Sequence, residues 1–287
     1  MICSIDLKIC STWKNNDLYH IFNEVSFRTL FFNLTIMYPF LFFVAIWYLS
    51  LFTQTFFHHR YSAHGMFTMN KFWEKVFYIL TWIFQGSSYL SPYAYGIMHR
   101  YHHAYADTEK DPHSPLYSKN LWDMMWKTKI EYSAIAKKQK PVEERFSRNL
   151  PYWGFMENIA DTWLNRLFFV GLYTLFFLKF ANHWYEWIYL PFIILMAPVH
   201  GAIINWFAHK FGYVNEKVND TSKNLLPIDF LMLGESYHNN HHKFGGRPNF
   251  GVKWHEIDPI YPFILLFNAI GIIKLKRNND LNYYPAS

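Results

Sequence analysis

Apolar runs alternate with polar stretches along the chain, and the run lengths set the first expectation. Residues 29–57 contain no Asp, Glu, Lys or Arg. A membrane-crossing helix needs about 20 such residues, so this run is long enough, with Pro39 marking a kink or a start. It ends directly at His58-His59. Residues 72–98 are apolar and aromatic but interrupted, first by Glu74-Lys75, then by Gln85-Gly86-Ser87-Ser88 and Ser91-Pro92. Residues 163–181 and 187–207 form an apolar hairpin around the turn Asn182–Glu186. A last run, from Pro259 to Lys274, is short for a span and is expected in the interface or packed on a polar domain. Around these runs lie a polar lead-in (1–28), an insert (104–162), a C-terminal region (208–274) and a tail (275–287). The pattern predicts a single membrane domain over residues 29–274.

Charge fixes the expected orientation. The insert holds nine Lys/Arg and nine Asp/Glu, residues 208–287 hold nine Lys/Arg, and the hairpin turn holds no Lys or Arg. The positive-inside rule then places the insert and the C-terminal region in the cytoplasm and the hairpin tip on the other face. The first ten residues lack the basic start, apolar run and small-residue exit of a cleaved signal. The apolar runs are therefore expected to do the targeting.

Composition narrows the class further. Hydrophobic residues make up 52% of the 287 positions and aromatics 22%, while mean hydropathy is only −0.07. That combination fits an interfacial membrane protein better than an ordinary soluble domain. The net charge of +6 comes without the basic stripe or motif of a nucleic-acid binder. It fits anionic headgroups or an acidic redox partner. The two cysteines, Cys3 and Cys10, offer neither a thiolate metal site nor a disulfide framework.

The chemistry is in the histidines. His238, His241 and His242 sit at i, i+3 and i+4, offsets that share a helix face. His99, His102 and His103 repeat the spacing. His59 and His64 add a pair five apart, and His209 follows Asn205 by one helical turn. These nine, from fifteen in the chain, are expected to converge as metal ligands. Imidazole suits zinc, copper, iron and nickel, and nine are too many for one ion and about right for two. Uniting the first two groups requires that residues 72–98 do not cross the membrane, so that segment is expected to be interfacial or re-entrant. Two redox metals facing a lipid phase suggest oxygen activation against an unactivated C–H bond.

The spacings His59-x-x-x-x-His64, His99-x-x-His102-His103 and His238-x-x-His241-His242 resemble the three histidine boxes of membrane fatty acyl desaturases. The stearoyl-CoA desaturase branch, in its bacterial members, is the nearest. His209 resembles that branch's extra ligand, and Asn205 its asparagine that holds a metal-bound water. Asp107–Ser114 resembles the segment after the second box. The resemblance spans about residues 29–274. It implies an all-α, multi-pass integral membrane protein, with transmembrane and interfacial helices capped by a cytoplasmic helical domain that carries a histidine-ligated dimetal site. It further implies two iron ions, O2, and two electrons from a separate donor, a ferredoxin, a rubredoxin or a small cytochrome with its reductase. The implied reaction removes one hydrogen from each of two adjacent carbons of a saturated acyl chain and leaves a cis double bond. A di-iron membrane hydroxylase, sharing ligands and oxidant, is the alternative; the alkane hydroxylases use differently spaced boxes with Glu-His pairs absent here. A metal transporter or haem-binding membrane protein is a rival of another class. The animal acyl-CoA enzymes carry an Arg-Asp pair where this chain has Ile97-Met98, and their spacing from Gln85 to His99 is shorter. Acyl-CoA, a carrier-protein thioester and an intact lipid all stay open as substrates.

Other residues carry narrower expectations. His58 is expected beside a ligand rather than as one. His200 reads either as a satisfied core histidine or as a donor orienting a ligand. His113 reads as a head-group contact or a loop cap. Arg60 and Arg100 read first as structural, pairing with carboxylates, and otherwise as contacts to a head-group phosphate. His20, His183 and His255 are expected on the surface. Trp47 and Leu51 lie twelve and eight residues before His59, near whole helical turns, and the resemblance places such residues at the floor of an acyl tunnel.

Overall fold

The computed structural model describes residues 37–276. The lead-in 1–28, the start of the first apolar run, Cys3, Cys10, His20 and the tail beyond residue 276 lie outside the described residues. Helix α1, Tyr38–Thr53, has Pro39 in its first turn, where the missing N–H costs nothing. It continues without a break into a π-helical stretch, Gln54–Ala63. Together they form a 26-residue rod long and apolar enough to cross a membrane.

Strand β1, Phe67–Met69, pairs antiparallel with β2, Ile273–Leu275, Phe67 opposite Leu275. This small sheet ties the end of the described chain to the exit of the first rod. Helix α2, Lys71–Gln85, is capped by the Asn70 side chain, which accepts from the Trp73 N–H. Its fifteen residues reach about 22 Å, less than a hydrocarbon core of about 30 Å. It stops at Gly86, where φ is +50° and any Cβ would fall 1.9 Å from the Tyr173 hydroxyl. Only glycine fits that approach. Ser91 then caps α3, Pro92–Tyr105, through its hydroxyl and the Ala94 N–H.

The insert contributes α4 (Leu121–Ala136), α5 (Glu144–Ser147) and α6 (Gly154–Ala160). Helix α7, Trp163–Phe180, is the second rod long and apolar enough to cross. The chain returns through a 3-10 turn at Trp184–Ile188, α8 (Tyr189–Ile194), α9 (Met196–Ala202) and a short π-helical turn, Ile203–Phe207. Between α8 and α9 the path bends by 75°. Pro198 has no N–H for the Ile194 carbonyl one turn earlier, and the Ser87 hydroxyl donates to that carbonyl instead at 2.9 Å. Helices α10 (His238–Lys243) and α11 (Tyr261–Ala269) complete the described chain.

Three apolar clusters hold these parts. Ile46, Phe169, Tyr173, Phe177, Ile193 and Met196 join α1, α7, α8 and α9. Phe56, Phe57, Phe67, Phe77, Tyr78 and Ile264 form a second core under the π-helical exit of the first rod. Ala94, Ile97, Met98, Ile135 and Phe146 seat α3 on α4 and α5. The fold is helical, with only one two-stranded sheet among the described residues.

Candidate metal centre

Four segments deliver nine imidazoles to one buried region. His59 and His64 are five residues apart, which on an α-helix would point them about 140° apart. The π-helical stretch removes that mismatch. The His64 N–H donates to the His59 carbonyl at 3.1 Å, an i to i+5 closure, and the two rings lie 5.0 Å apart. Helix α3 supplies His99, His102 and His103, α10 supplies His238, His241 and His242, and His209 follows the second π-helical turn.

The nine divide into two groups. His59, His64, His99, His103 and His241 form one, and His102, His209, His238 and His242 the other; within each, one ring nitrogen per residue lies within 4.8 Å of all the others. In the first group the Nε2 of His59 faces that of His241 at 2.9 Å, and the Nε2 of His64 faces that of His99 at 2.8 Å. In the second, the Nε2 of His209 faces that of His238 at 3.0 Å and His102 faces His242 at 3.2 Å. The groups adjoin, with the rings of His103 and His242 4.6 Å apart. The i, i+3, i+4 sets therefore do not each converge on one volume. On α3 the i and i+4 members enter the five-membered group and the i+3 member the other, and on α10 the assignment is reversed. Two helices with the same spacing meet across the centre, and each gives its odd ring to its partner's group.

Carboxylates hold the outer ring nitrogens. Glu235 Oε2 lies 2.6 Å from His59 Nδ1. Asp111 lies 3.0 Å from His102 Nδ1 through both oxygens. Asp220 lies 2.8 Å from His242 Nδ1, and Asp107 lies 3.5 Å from His209 Nδ1. A ligating histidine characteristically donates its second ring N–H to such a partner, which fixes its tautomer. Burial pushes Asp111 up, but the charge and hydrogen bond of His102 outweigh it and hold the carboxyl at about 2. Burial, reinforced by neighbouring imidazoles, pushes His99, His103, His238, His241 and His242 well below the ordinary imidazole range. Those rings are neutral at neutral pH, the state that binds metal.

The residues fit two ions. A metal–imidazole bond of about 2.0–2.1 Å puts adjacent ligand nitrogens about 3 Å apart, which matches the facing Nε2 pairs. Nine imidazoles without thiolate suit iron, copper, zinc or nickel.

The remaining candidates lie around this centre. His58 points away, its Nε2 on the Leu90 carbonyl at 2.8 Å. Arg100 donates to the backbone carbonyls of Ser62, Ala63, Phe146 and Arg148. Arg60 pairs with Asp258 at 2.6 Å and Glu235 at 3.4 Å. The His113 ring lies tilted against His102, 4.5 Å between centroids. His200 is buried against Trp47, ring to ring 4.7 Å, with no hydrogen-bond partner on either nitrogen among the described residues. Trp47 donates its indole N–H to the Leu231 carbonyl at 2.9 Å, and Leu51 is buried. Asn205 is half-buried in the second π-helical turn. The four carboxylates are what spacing alone missed. Asp107 and Asp111 stand four and eight residues after His103, and Glu235 three before His238, so a search flanking each box for acids would have found three of them.

Membrane-length helices and two adjoining polyhistidine groups held by carboxylates define a class: a helical membrane protein built around histidine clusters that could hold metal. The model of the fatty acid desaturase family matches residues 33–265, and the chain belongs to that family. A delta-9 acyl-lipid desaturase of Arabidopsis thaliana is 29% identical, over 84% of this chain and 77% of the relative. An sn-1 stearoyl-lipid 9-desaturase of Synechocystis sp. is 28% identical, over 75% of this chain and 64% of the relative. An acyl-CoA 5-desaturase of Anemone leveillei is 27% identical, over 91% of this chain and 79% of the relative.

Proposed function

We propose that this chain introduces a cis double bond into a saturated fatty acyl chain, using O2 and two electrons from a separate carrier. The carrying observation is the pair of adjoining imidazole groups, five and four strong, each with its ring nitrogens within 4.8 Å. The nine histidines are the ligands of two iron ions, and iron when bound supplies the oxidising chemistry against the C–H bonds. The chain's own residues do the rest. Glu235, Asp111, Asp220 and Asp107 orient the rings, and the apolar layer around α1, α8 and α9 excludes water and lines up the acyl chain. Asn205 positions a water at the centre, and Trp47 with Leu51 bounds the acyl path.

The protein is a multi-pass integral membrane protein whose metal groups lie on the cytoplasmic side. Residues 72–98 stay on that side without crossing. The relatives named for acyl-lipid and acyl-CoA substrates leave both head groups in play, and the product decides between them. Expression in a host that lacks the monoene should add one new monounsaturated peak to its fatty-acid profile, and the lipid class carrying the peak names the head group. A hydroxylated product would instead assign oxygen insertion. His102→Ala and His241→Ala, one from each group, should each abolish the new peak at unchanged protein level. Full activity in either overturns the ligand assignment.

A further inference from the structure

The two imidazole groups differ more in their surroundings than in their ring counts. Around the five-membered group the one carboxylate in contact with a ring among the described residues is Glu235, on His59. Its charge is shared, because Arg60 pairs with it at 3.4 Å and the Thr55 hydroxyl also donates to it. The Arg100 guanidinium lies close by, bonded to the carbonyls of Ser62 and Ala63 just before His64. The four-membered group is set differently. Asp111, Asp220 and Asp107 face the Nδ1 atoms of His102, His242 and His209. Among the described residues none of the three forms an ion pair with Lys or Arg. Lys217 and Lys223 line, with His209 and Asp220, a cleft of about 330 Å³, and neither lysine is within ion-pair distance of Asp220.

We infer that the two metal positions are inequivalent: the four-imidazole position binds its cation more tightly and holds it in the more oxidised state. This rests on the dimetal reading above. A carboxylate on the outer N–H makes an imidazole a more basic ligand. Three carboxylates without a Lys or Arg ion pair among the described residues, Asp111 buried and Asp107 and Asp220 partly so, favour a trivalent ion over a divalent one, since the attraction scales with ionic charge. An external one-electron reductant therefore reduces the five-imidazole position first. The second electron goes to the four-imidazole position, each taking its ion from the trivalent to the divalent state with no bond made or broken. Asp107, Asp111 and Asp220 are positioning residues, acting through the histidines they face.

The test is iron stoichiometry, chelator competition and reductive titration followed by Mössbauer spectroscopy on the purified full chain. The native protein should hold two ions per chain, released at two chelator concentrations and reduced in two separate one-electron steps. Asp220→Asn keeps an acceptor for the Ser222 N–H, which Asp220 Oδ1 now holds at 2.9 Å. It should weaken one ion by about 10–100-fold and bring its reduction step toward the first, leaving the other ion unmoved. Glu235→Gln should weaken the other ion alone. Asp111 also accepts from the N–H groups of Asp107 and His113, so Asp111→Asn risks the loop, and Asp220→Asn carries the comparison. Two ions released together and reduced in one step, or an equal weakening of both ions in Asp220→Asn, overturn the inequivalence and leave the dimetal reading standing. A chain that binds no iron overturns both.

Discussion

His241 and His242 are neighbours in sequence and belong to different groups, so the two sites are woven from the same short helix. The rings themselves were legible in the sequence because their spacing is local. Their partners were less so, because contact crosses the chain: Glu235 stands 176 positions from His59, and Asp220 22 from His242. Arg60 and Arg100 were expected to be structural through carboxylates. Arg60 pairs with Glu235 and Asp258, and Arg100 donates to backbone carbonyls, which no sequence pattern marks. Trp47 is the residue where a functional proposal and a structural contact meet. Its indole N–H holds the Leu231 carbonyl, and its ring covers His200. Trp47→Ala should open space beside α1 and move product toward longer acyl chains, with the double bond keeping its place counted from the carboxyl end. Gas chromatography of products from mixed chain lengths reads this directly. An unchanged length profile in both Trp47→Ala and Leu51→Ala removes this helix face from the acyl path.

At the scale of elements, apolar run length was a good guide and helix type was not. The 26-residue first rod, Tyr38–Ala63, takes its apolar length from the uncharged run that ends at residue 57 and continues past Arg60, but its switch to π-helical closure at Gln54 has no compositional marker. That switch is what aligns His59 with His64. The bend before α9 was readable in principle, since Pro198 must strand a carbonyl one turn earlier. The short helix α6 offers a pH test away from the metal groups. Burial pushes the Glu157 carboxyl up from its ordinary 4.5 to about 7, with Asp161 adding to the rise and Ser91 and Lys138 opposing it. The folded state thus binds a proton that the unfolded chain has lost between those values. By linkage, stability from this group is greatest below about 4.5 and falls as pH rises to about 7. Thermal unfolding in detergent should show a melting temperature lower at pH 8 than at pH 5.5, and Glu157→Gln should flatten that slope. An identical slope in the variant would assign the pH dependence to other groups.

At the scale of the molecule, the packing gives the two ends of the helical layer different chemistry. The Tyr38 ring packs edge-on against Phe180 at 5.4 Å, and Phe43 stacks on Tyr189 at 5.2 Å. The start of α1 therefore lies beside the hairpin turn that joins α7 to α8. The other end of the first rod carries His59 and His64, and the bent return path ends just before His209. Every histidine of the two groups thus lies toward one end of the layer. A sequence reading reaches the same polarity from lysine and arginine counts alone, because short loops that stay in the cytoplasm keep them. If both hold, sites on the insert and the C-terminal region share one aqueous face and the hairpin turn faces the other. Single cysteines in a Cys3→Ser, Cys10→Ser background can report this at Trp254 and Trp184, which are 94% and 86% exposed, and at Trp122 in the insert. A membrane-impermeant maleimide added outside intact cells should label the Trp184→Cys protein and spare the other two. Inverted vesicles should give the reverse. Labelling of Trp122→Cys and Trp254→Cys from opposite faces would break the single centre, since no bilayer can pass between imidazoles whose nitrogens stand about 3 Å apart.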